Sequence, residues 1–197
     1  MDAISTLALA SGLSWASGLR LYLTVFAVGM MAKFGVITLP DSLAILTHPG
    51  VIAASGLLSV IEFLADKIPY IDSIWDSVHT FIRIPAGALL AMGAMNTGDP
   101  AIAAIAGLLG GSLAGATHLT KAGSRALINT SPEPVTNIAT SFGEESLLLT
   151  GGWLVFAHPM VFLGLLAAFV LLMIWLIPRL WRGIKSVLGG IGKPSQS

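Results

Sequence analysis

Between Glu62 and Arg83 the chain reads EFLADKIPYIDSIWDSVHTFIR, which holds six of its twenty Lys, Arg, Asp and Glu residues and one of its four histidines. Apolar stretches long enough to enter a bilayer lie on both sides. A charged side chain in hydrocarbon costs at least ~3 kcal/mol, so such groups are paired, turned to water or held at the interface. Glu62 and Asp66 are four residues apart and share one helix face, with Lys67 beside them. Asp72, Asp76, His79 and Arg83 share the polar face of an amphipathic stretch whose apolar face is Ile71, Ile74, Trp75, Val78 and Ile82. Carboxylates grouped in this way can bind a cation or relay protons, and a histidine among them can respond to pH. Asp72, Asp76 and His79 are also hard-metal ligands by type, although their spacing matches no diagnostic metal motif.

A second polar run, HLTKAGSRALINTSPEPVTNIATSFGEE at 118–145, is too polar to face lipid. His118, Lys121 and Arg125 fall on one helix face, and Glu144 and Glu145 stand at the start of the next apolar segment. SPEP at 131–134 breaks the chain between them, while Asn129, Thr130, Asn137, Thr140 and Ser141 supply neutral donors and acceptors. The run reads either as an extramembrane loop or as a re-entrant segment lining a pore or anion pocket, which lipid permits only where the backbone is buried in protein or meets water. Arg20 lies in the middle of an apolar stretch, too deep to snorkel, and needs an anionic partner in the protein or in a ligand. The candidate polar network is therefore Arg20, Glu62, Asp66, Lys67, Asp72, Asp76, His79, Arg83, His118, Lys121, Arg125, Asn137, Glu144 and Glu145.

These residues must be positioned by membrane helices, because 55% of the chain is hydrophobic and only 10% charged. Apolar blocks at 3–32, 50–65, 84–96, 101–119 and 160–178, with a shorter one at 146–157, predict an all-α membrane protein. About five transmembrane helices are expected, six being the alternative, plus a short amphipathic helix over 71–82 bounded by Pro69 and Pro85. That helix either lies in the interface with its polar face solvated or turns the face into a cavity. The whole chain, 1–197, reads as a single membrane domain with a polar tail at 191–197.

An offset of 100 aligns SGLSWASGL (11–19) with GSLAGATHL (111–119) at Leu13/Leu113, Ala16/Ala116, Ser17/Thr117 and Leu19/Leu119. His48-Pro49 recurs as His158-Pro159, Ile68-Pro69 as Ile177-Pro178, and Ser77-Val78 as Ser186-Val187. Repeat halves at 1–97 and 98–190, related as an inverted repeat, would fit these echoes. Gly12, Gly18, Gly110, Gly111 and Gly115 read either as a small-residue seam between helices or as a pair of interrupted helices whose freed backbone binds a solute.

Net charge is zero with only ten Lys and Arg, which excludes a nucleic-acid partner. With no cysteine there is no disulfide, thiolate metal site or thiol nucleophile. Neither a phosphate loop, an HExxH pair nor a GxSxG elbow is present, so no enzyme signature and no cofactor is expected. Arg179, Arg182, Lys185 and Lys193 place the C-terminus in the cytoplasm by the positive-inside bias, and Lys33 places the end of the first span there too. The N-terminus and the loop at 67–80 then face outward.

EFLADKIPYIDSIWDSVHTFIRIPAGALLA, together with ASGLRLYLT, the H-x-x-K-x-x-x-R element, SPEPVTN and the Glu144–Glu145 pair, resembles a bacterial integral-membrane family catalogued as domain of unknown function 4126. Ile84 stands where that family commonly has proline. The resemblance implies a multi-span protein of the bacterial inner membrane and brings no activity with it. Three functions fit the residues: a small transporter or channel for an ion or small solute; a membrane enzyme acting on a lipid or isoprenoid head group; or a structural and assembly protein whose charges only pair with one another. The expected partners are the lipid bilayer, an unidentified solute or ion, and a second copy of the chain around a shared pathway.

Overall fold

The computed structural model describes residues 1–68, 70–129 and 134–191, and all of its regular structure is helical. The helices are α1 (Ala3–Lys33), a short 3₁₀ helix (Asp41–Thr47), α2 (Pro49–Ala65), α3 (Ile71–Met95), α4 (Pro100–Ile128), α5 (Pro134–Ala157) and α6 (Pro159–Ile191). Sequence punctuation sets several boundaries. Asp2 accepts from Ser5 N at 2.7 Å, His48 caps Gly50 N ahead of Pro49, and Asp99 caps Ala101 N ahead of Pro100. Asn96, in the left-handed region at φ 41°, closes α3. Pro69, Thr130 to Glu133 and residues 192–197, Lys193 among them, lie outside the described residues.

By length and composition α1, α3, α4 and α6 can cross a membrane, and the 3₁₀ helix with α2, bent by 64°, would make a fifth such span. The chain is thus a multi-pass membrane protein. Length alone misleads for α1. Arg20 has φ −147° and ψ 89°, which breaks the helix, and the two halves fold back on one another. Leu9 and Met31, Leu13 and Val28, and Ala16 and Thr24 line the same groove against α5, and these pairs centre on residue 20. Met1 and Thr6 likewise share a pocket with Thr38 to Pro40. In a straight helix Leu9 and Met31 would be ~33 Å apart. The expected first span is therefore a helical hairpin with Arg20 at its tip.

The remaining helices run alternately between two ends. Ser14 Oγ donates to Gly87 O at 3.0 Å and Arg83 reaches Gly18 O, so the first arm of α1 is antiparallel to α3. Gly123 packs against Leu180 and Gly183 against Leu127, which brings the C-terminal parts of α4 and α6 together. The end of α2, the start of α3, the end of α4, the start of α5 and the end of α6 consequently share one end of the bundle. Lys33 lies at the opposite end from the basic residues of α6, and Asp66 to Ile68, just after α2, lie at the same end as they do. Both placements reverse the sidedness expected from treating α1 as one span.

Two further expectations need correction. The amphipathic segment 71–82 does not stop before Pro85, for α3 continues through that proline to Met95, so the segment is the first half of a longer helix rather than a short one bounded at both ends. The polar run 118–145 is neither a loop nor an irregular re-entrant segment across its described parts, since α4 extends to Ile128 and α5 starts at Pro134. Small residues let α1, α3 and α4 approach closely: a Cβ on Gly87 would overlap the Ala114 methyl, and one on Gly18 would stand 2.5 Å from Ala114 O. The proposed pair of interrupted helices reduces to one, because α4 is helical throughout. Away from the charges, Trp15 packs edge to face on Phe162 and Phe169 within an apolar core that includes Leu9, Leu13, Leu148 and Val155.

The hairpin makes a direct prediction in a chain without native cysteine. With Leu13→Cys and Val28→Cys together, a short bifunctional thiol reagent should join the two positions in high yield, read as a tryptic fragment shift. A straight α1 would hold them ~22 Å apart and give none.

Candidate functional site

A helix that stops inside a bilayer leaves its last carbonyls without partners and presents the negative end of its dipole. At the tip of the α1 hairpin, cations from two other helices meet those carbonyls. Arg83 Nη1 on α3 donates to Gly18 O and Lys121 Nζ on α4 to Leu19 O, both at 3.3 Å. Thr24 Oγ1 donates to Arg20 O at 2.7 Å. The break is held by the charge network rather than by backbone bonding alone.

Arg20 itself points into the same network and is 1% exposed. Its Nη2 lies 2.8 Å from Asp66 Oδ2, 3.2 Å from Glu145 Oε1 and 4.0 Å from Glu144 Oε2, and donates to Ser141 Oγ at 2.9 Å. Lys121 Nζ stands 3.1 Å from the same Asp66 oxygen and 3.6 Å from Glu144 Oε2. Arg83 pairs with Glu62 at 2.5 Å and with Asp76 Oδ1 at 3.2 Å. Arg125 forms a two-pronged pair with Glu144, at 2.9 and 3.0 Å, and also donates to the Asp66 and Asn137 carbonyls and to the Asn137 side chain.

Two histidines border these pairs. His118 Nδ1 stands 2.9 Å from Arg83 Nη1, which can only donate, so Nδ1 accepts and the ring proton sits on Nε2. That proton faces Asp76 O at 3.0 Å and Thr80 Oγ1 at 2.8 Å. His79 turns away from the ion pairs: it bonds to Trp75 O and Tyr22 Oη and stacks on the Trp75 ring. Lys67 lies at the edge, its Nζ 3.0 Å from the centroid of Phe63 and 3.4 Å from Ser141 Oγ. Asp72 is fully buried and receives Asn129 Nδ2 at 3.2 Å, with no cation within 4.0 Å among the described residues.

The matching family model is described as Domain of unknown function (DUF4126) and covers residues 7–179. The chain belongs to this family. Neither a curated protein nor a solved structure matches it. The DUF4126 match thus covers both arms of the hairpin and every residue of the network.

Within this DUF4126 chain the fold brings Arg20, Glu62, Asp66, Asp76, Arg83, His118, Lys121, Arg125, Asn137, Glu144 and Glu145 into one connected cluster, with Lys67 and Asp72 on its border. His79 is buried beside the cluster but joins Tyr22 instead. Asp72, Asp76 and His79 do not converge, and among the described residues no three His, Asp or Glu side chains are arranged to hold a metal ion. Thr140 bonds back to Thr136 O and takes no part. Tyr22, Trp75 and Thr80 were not apparent from sequence. Thr80 sits four residues after Asp76 on the same helix face and was the one readable signal, whereas Tyr22 needed the break in α1.

The cluster holds five carboxylates against four cations, with one more of each on its border, and it is not closed. Glu62 Oε2, Asp66 Oδ1 and both Asp76 oxygens lack a hydrogen-bond donor among the described residues, and Arg20 Nε and Arg83 Nε lack an acceptor. Buried groups with spare bonding capacity are where solute or water can enter. The Glu62–Arg83 pair is fully buried on both sides. Removing one partner leaves an uncompensated charge, so Glu62→Ala should lower the unfolding free energy by about 3–5 kcal/mol in detergent titration, and Glu62→Gln with Arg83→Gln together should recover part of that loss. An unchanged midpoint in Glu62→Ala would show that the pair is not buried.

Proposed function

We propose that the chain is a small transporter or channel of the bacterial inner membrane, which carries an ion or small solute along the network at the tip of the α1 hairpin. One observation carries this reading: α1 reverses at Arg20 among paired charges. Irregular backbone at membrane depth is tolerated only where it is buried in protein or lines an aqueous cavity, and broken helices of this kind form solute sites in transporters. The carboxylate oxygens without donors give such a solute somewhere to bind. The basic residues of α6, Arg179, Arg182 and Lys185, support a cytoplasmic placement of the network end.

The completeness of the pairing favours a second reading, a static latch that fixes the hairpin. Arg20, Arg83, Lys121 and Arg125 each have a carboxylate within 4.0 Å. The two readings part on flux. Protein in liposomes loaded with potassium-, chloride- and proton-sensitive dyes should pass at least one ion above empty vesicles, and Asp66→Asn or Arg20→Ala should cut that rate by about tenfold or more, since each removes a charge buried in the pathway. Variants that reconstitute as monodisperse protein and keep the wild-type rate would leave the latch as the function.

A further inference from the structure

The apolar part of α6, Pro159–Gly183, is 25 residues long. As a straight helix it runs ~37 Å, so it can cross a hydrocarbon core of ~30 Å with its last turns among the head groups. Arg179, Arg182 and Lys185 stand on those turns, and all three are exposed. Their spacing of three keeps them on one side of the helix, turned away from the Met173 and Leu180 that α6 buries.

No acidic side chain neutralises them. Among the described residues no carboxylate lies within 4.0 Å of any of the three. Arg179 Nη1 donates to Trp175 O and Arg182 Nε to Pro178 O, which leaves most of the five donors of each guanidinium unused among the described residues. The carboxylates of this end are turned inward: Glu62, Asp66, Asp72 and Asp76 are buried, while Glu144 faces Arg125 and Glu145 faces Arg20. At the opposite end the sign reverses, with Asp2, Asp41 and Asp99 exposed and Lys33 as their counterpart. The surface that meets head groups at the network end is therefore positive.

What binds there must be anionic, and the neighbouring surface narrows it further. The Arg179 guanidinium lies 3.6 Å from the ring centroid of Trp175, and Lys185 Nζ lies 5.5 Å from that of Trp181, so an exposed indole stands beside each of these charges. Trp181, with Ile177 and Leu180, also walls a cleft of about 380 Å³ whose α4 side is Leu119, Ala122 and Ala126. Cations, interfacial indoles and an apolar cleft follow one another as the phosphate, glycerol region and chains of a phospholipid do. A soluble phosphate ester would use only the first of these. Lipid chains are as apolar as the cleft walls, so the cleft gives a chain its place and the charges supply the selectivity. We infer that the end of α6 binds an anionic phospholipid, its phosphate on Arg179, Arg182 and Lys185 and one chain along the cleft beside Trp181. This binding does not depend on whether the protein transports a solute or latches its hairpin.

Tryptophan quenching by lipids with brominated chains tests the assignment on the full protein in phosphatidylcholine vesicles. The difference between wild type and Trp181→Phe isolates the signal of Trp181, and lipid in both leaflets makes the reading independent of orientation. Brominated phosphatidylglycerol should quench Trp181 at a mole fraction about tenfold or more below that needed by brominated phosphatidylcholine, since each basic residue near an anionic surface contributes about fivefold. Arg179→Gln, Arg182→Gln and Lys185→Gln together should bring the two lipids to the same mole fraction. All three residues are exposed and outside the buried ion pairs, so the comparison is made on folded protein. Lys33→Gln, at the other end, should leave the preference intact, and soluble glycerol phosphate should not displace the lipid. Equal quenching by both lipids in the wild type, a preference that survives the triple substitution, one lost in Lys33→Gln, or displacement by glycerol phosphate would each overturn the inference.

Discussion

The contact between Arg20 and Asp66 sets the rest of the structure. A guanidinium 1% exposed cannot stand without an anion, and Asp66 at the end of α2 supplies it at 2.8 Å. Because Arg20 also interrupts α1, that same contact fixes where the hairpin turns. The freed carbonyls of Gly18 and Leu19 then require donors, which Arg83 and Lys121 provide, and those cations in turn draw Glu62, Asp76 and Glu144 inward. Charge pairing, backbone satisfaction and helix order are one connected problem here.

The seam of small residues makes this geometry reachable. Gly18, Gly87 and Gly110 bring the first arm of α1, α3 and α4 within backbone contact, so that side chains from α3 and α4 reach carbonyls on α1. Larger residues there would hold the helices apart and strand the carbonyls. The seam and the network are therefore two halves of one arrangement, the first supplying proximity and the second supplying bonds. A network with one excess carboxylate and several oxygens without donors stops short of full neutralisation, unlike the closed pairing expected of a purely structural core.

Much of the cluster was legible in the sequence because helical spacing is a local property. His118, Lys121 and Arg125 share a face at spacings of three and four, as do Asp72, Asp76, His79 and Arg83, and the charge of Arg20 was conspicuous in an apolar stretch. The reversal at Arg20 was not legible, because hydropathy sees a 31-residue apolar helix and is blind to its direction. That blindness also misplaced Lys33. Pro85 misled in the other sense: it was read as the end of the helix, but α3 continues through it to Met95 with the proline on the helix's exposed face. The run 118–145 looked like a loop because its polarity was weighed against lipid, whereas Arg125, Asn137 and Glu144 face one another.

In a transporter or channel of the proposed kind the polar face of α3 borders a pathway that water enters, and site-directed labelling measures this most directly. Single cysteines at His79 and Thr80, compared with Ile74, Val78 and Phe81 on the outward face, would be exposed to a membrane-impermeant maleimide in sealed vesicles. An aqueous pathway gives modification at 79 and 80 from one aqueous side and protection at 74, 78 and 81 by lipid. Protection at 79 and 80 from both sides, in protein that keeps its fold, would contradict it.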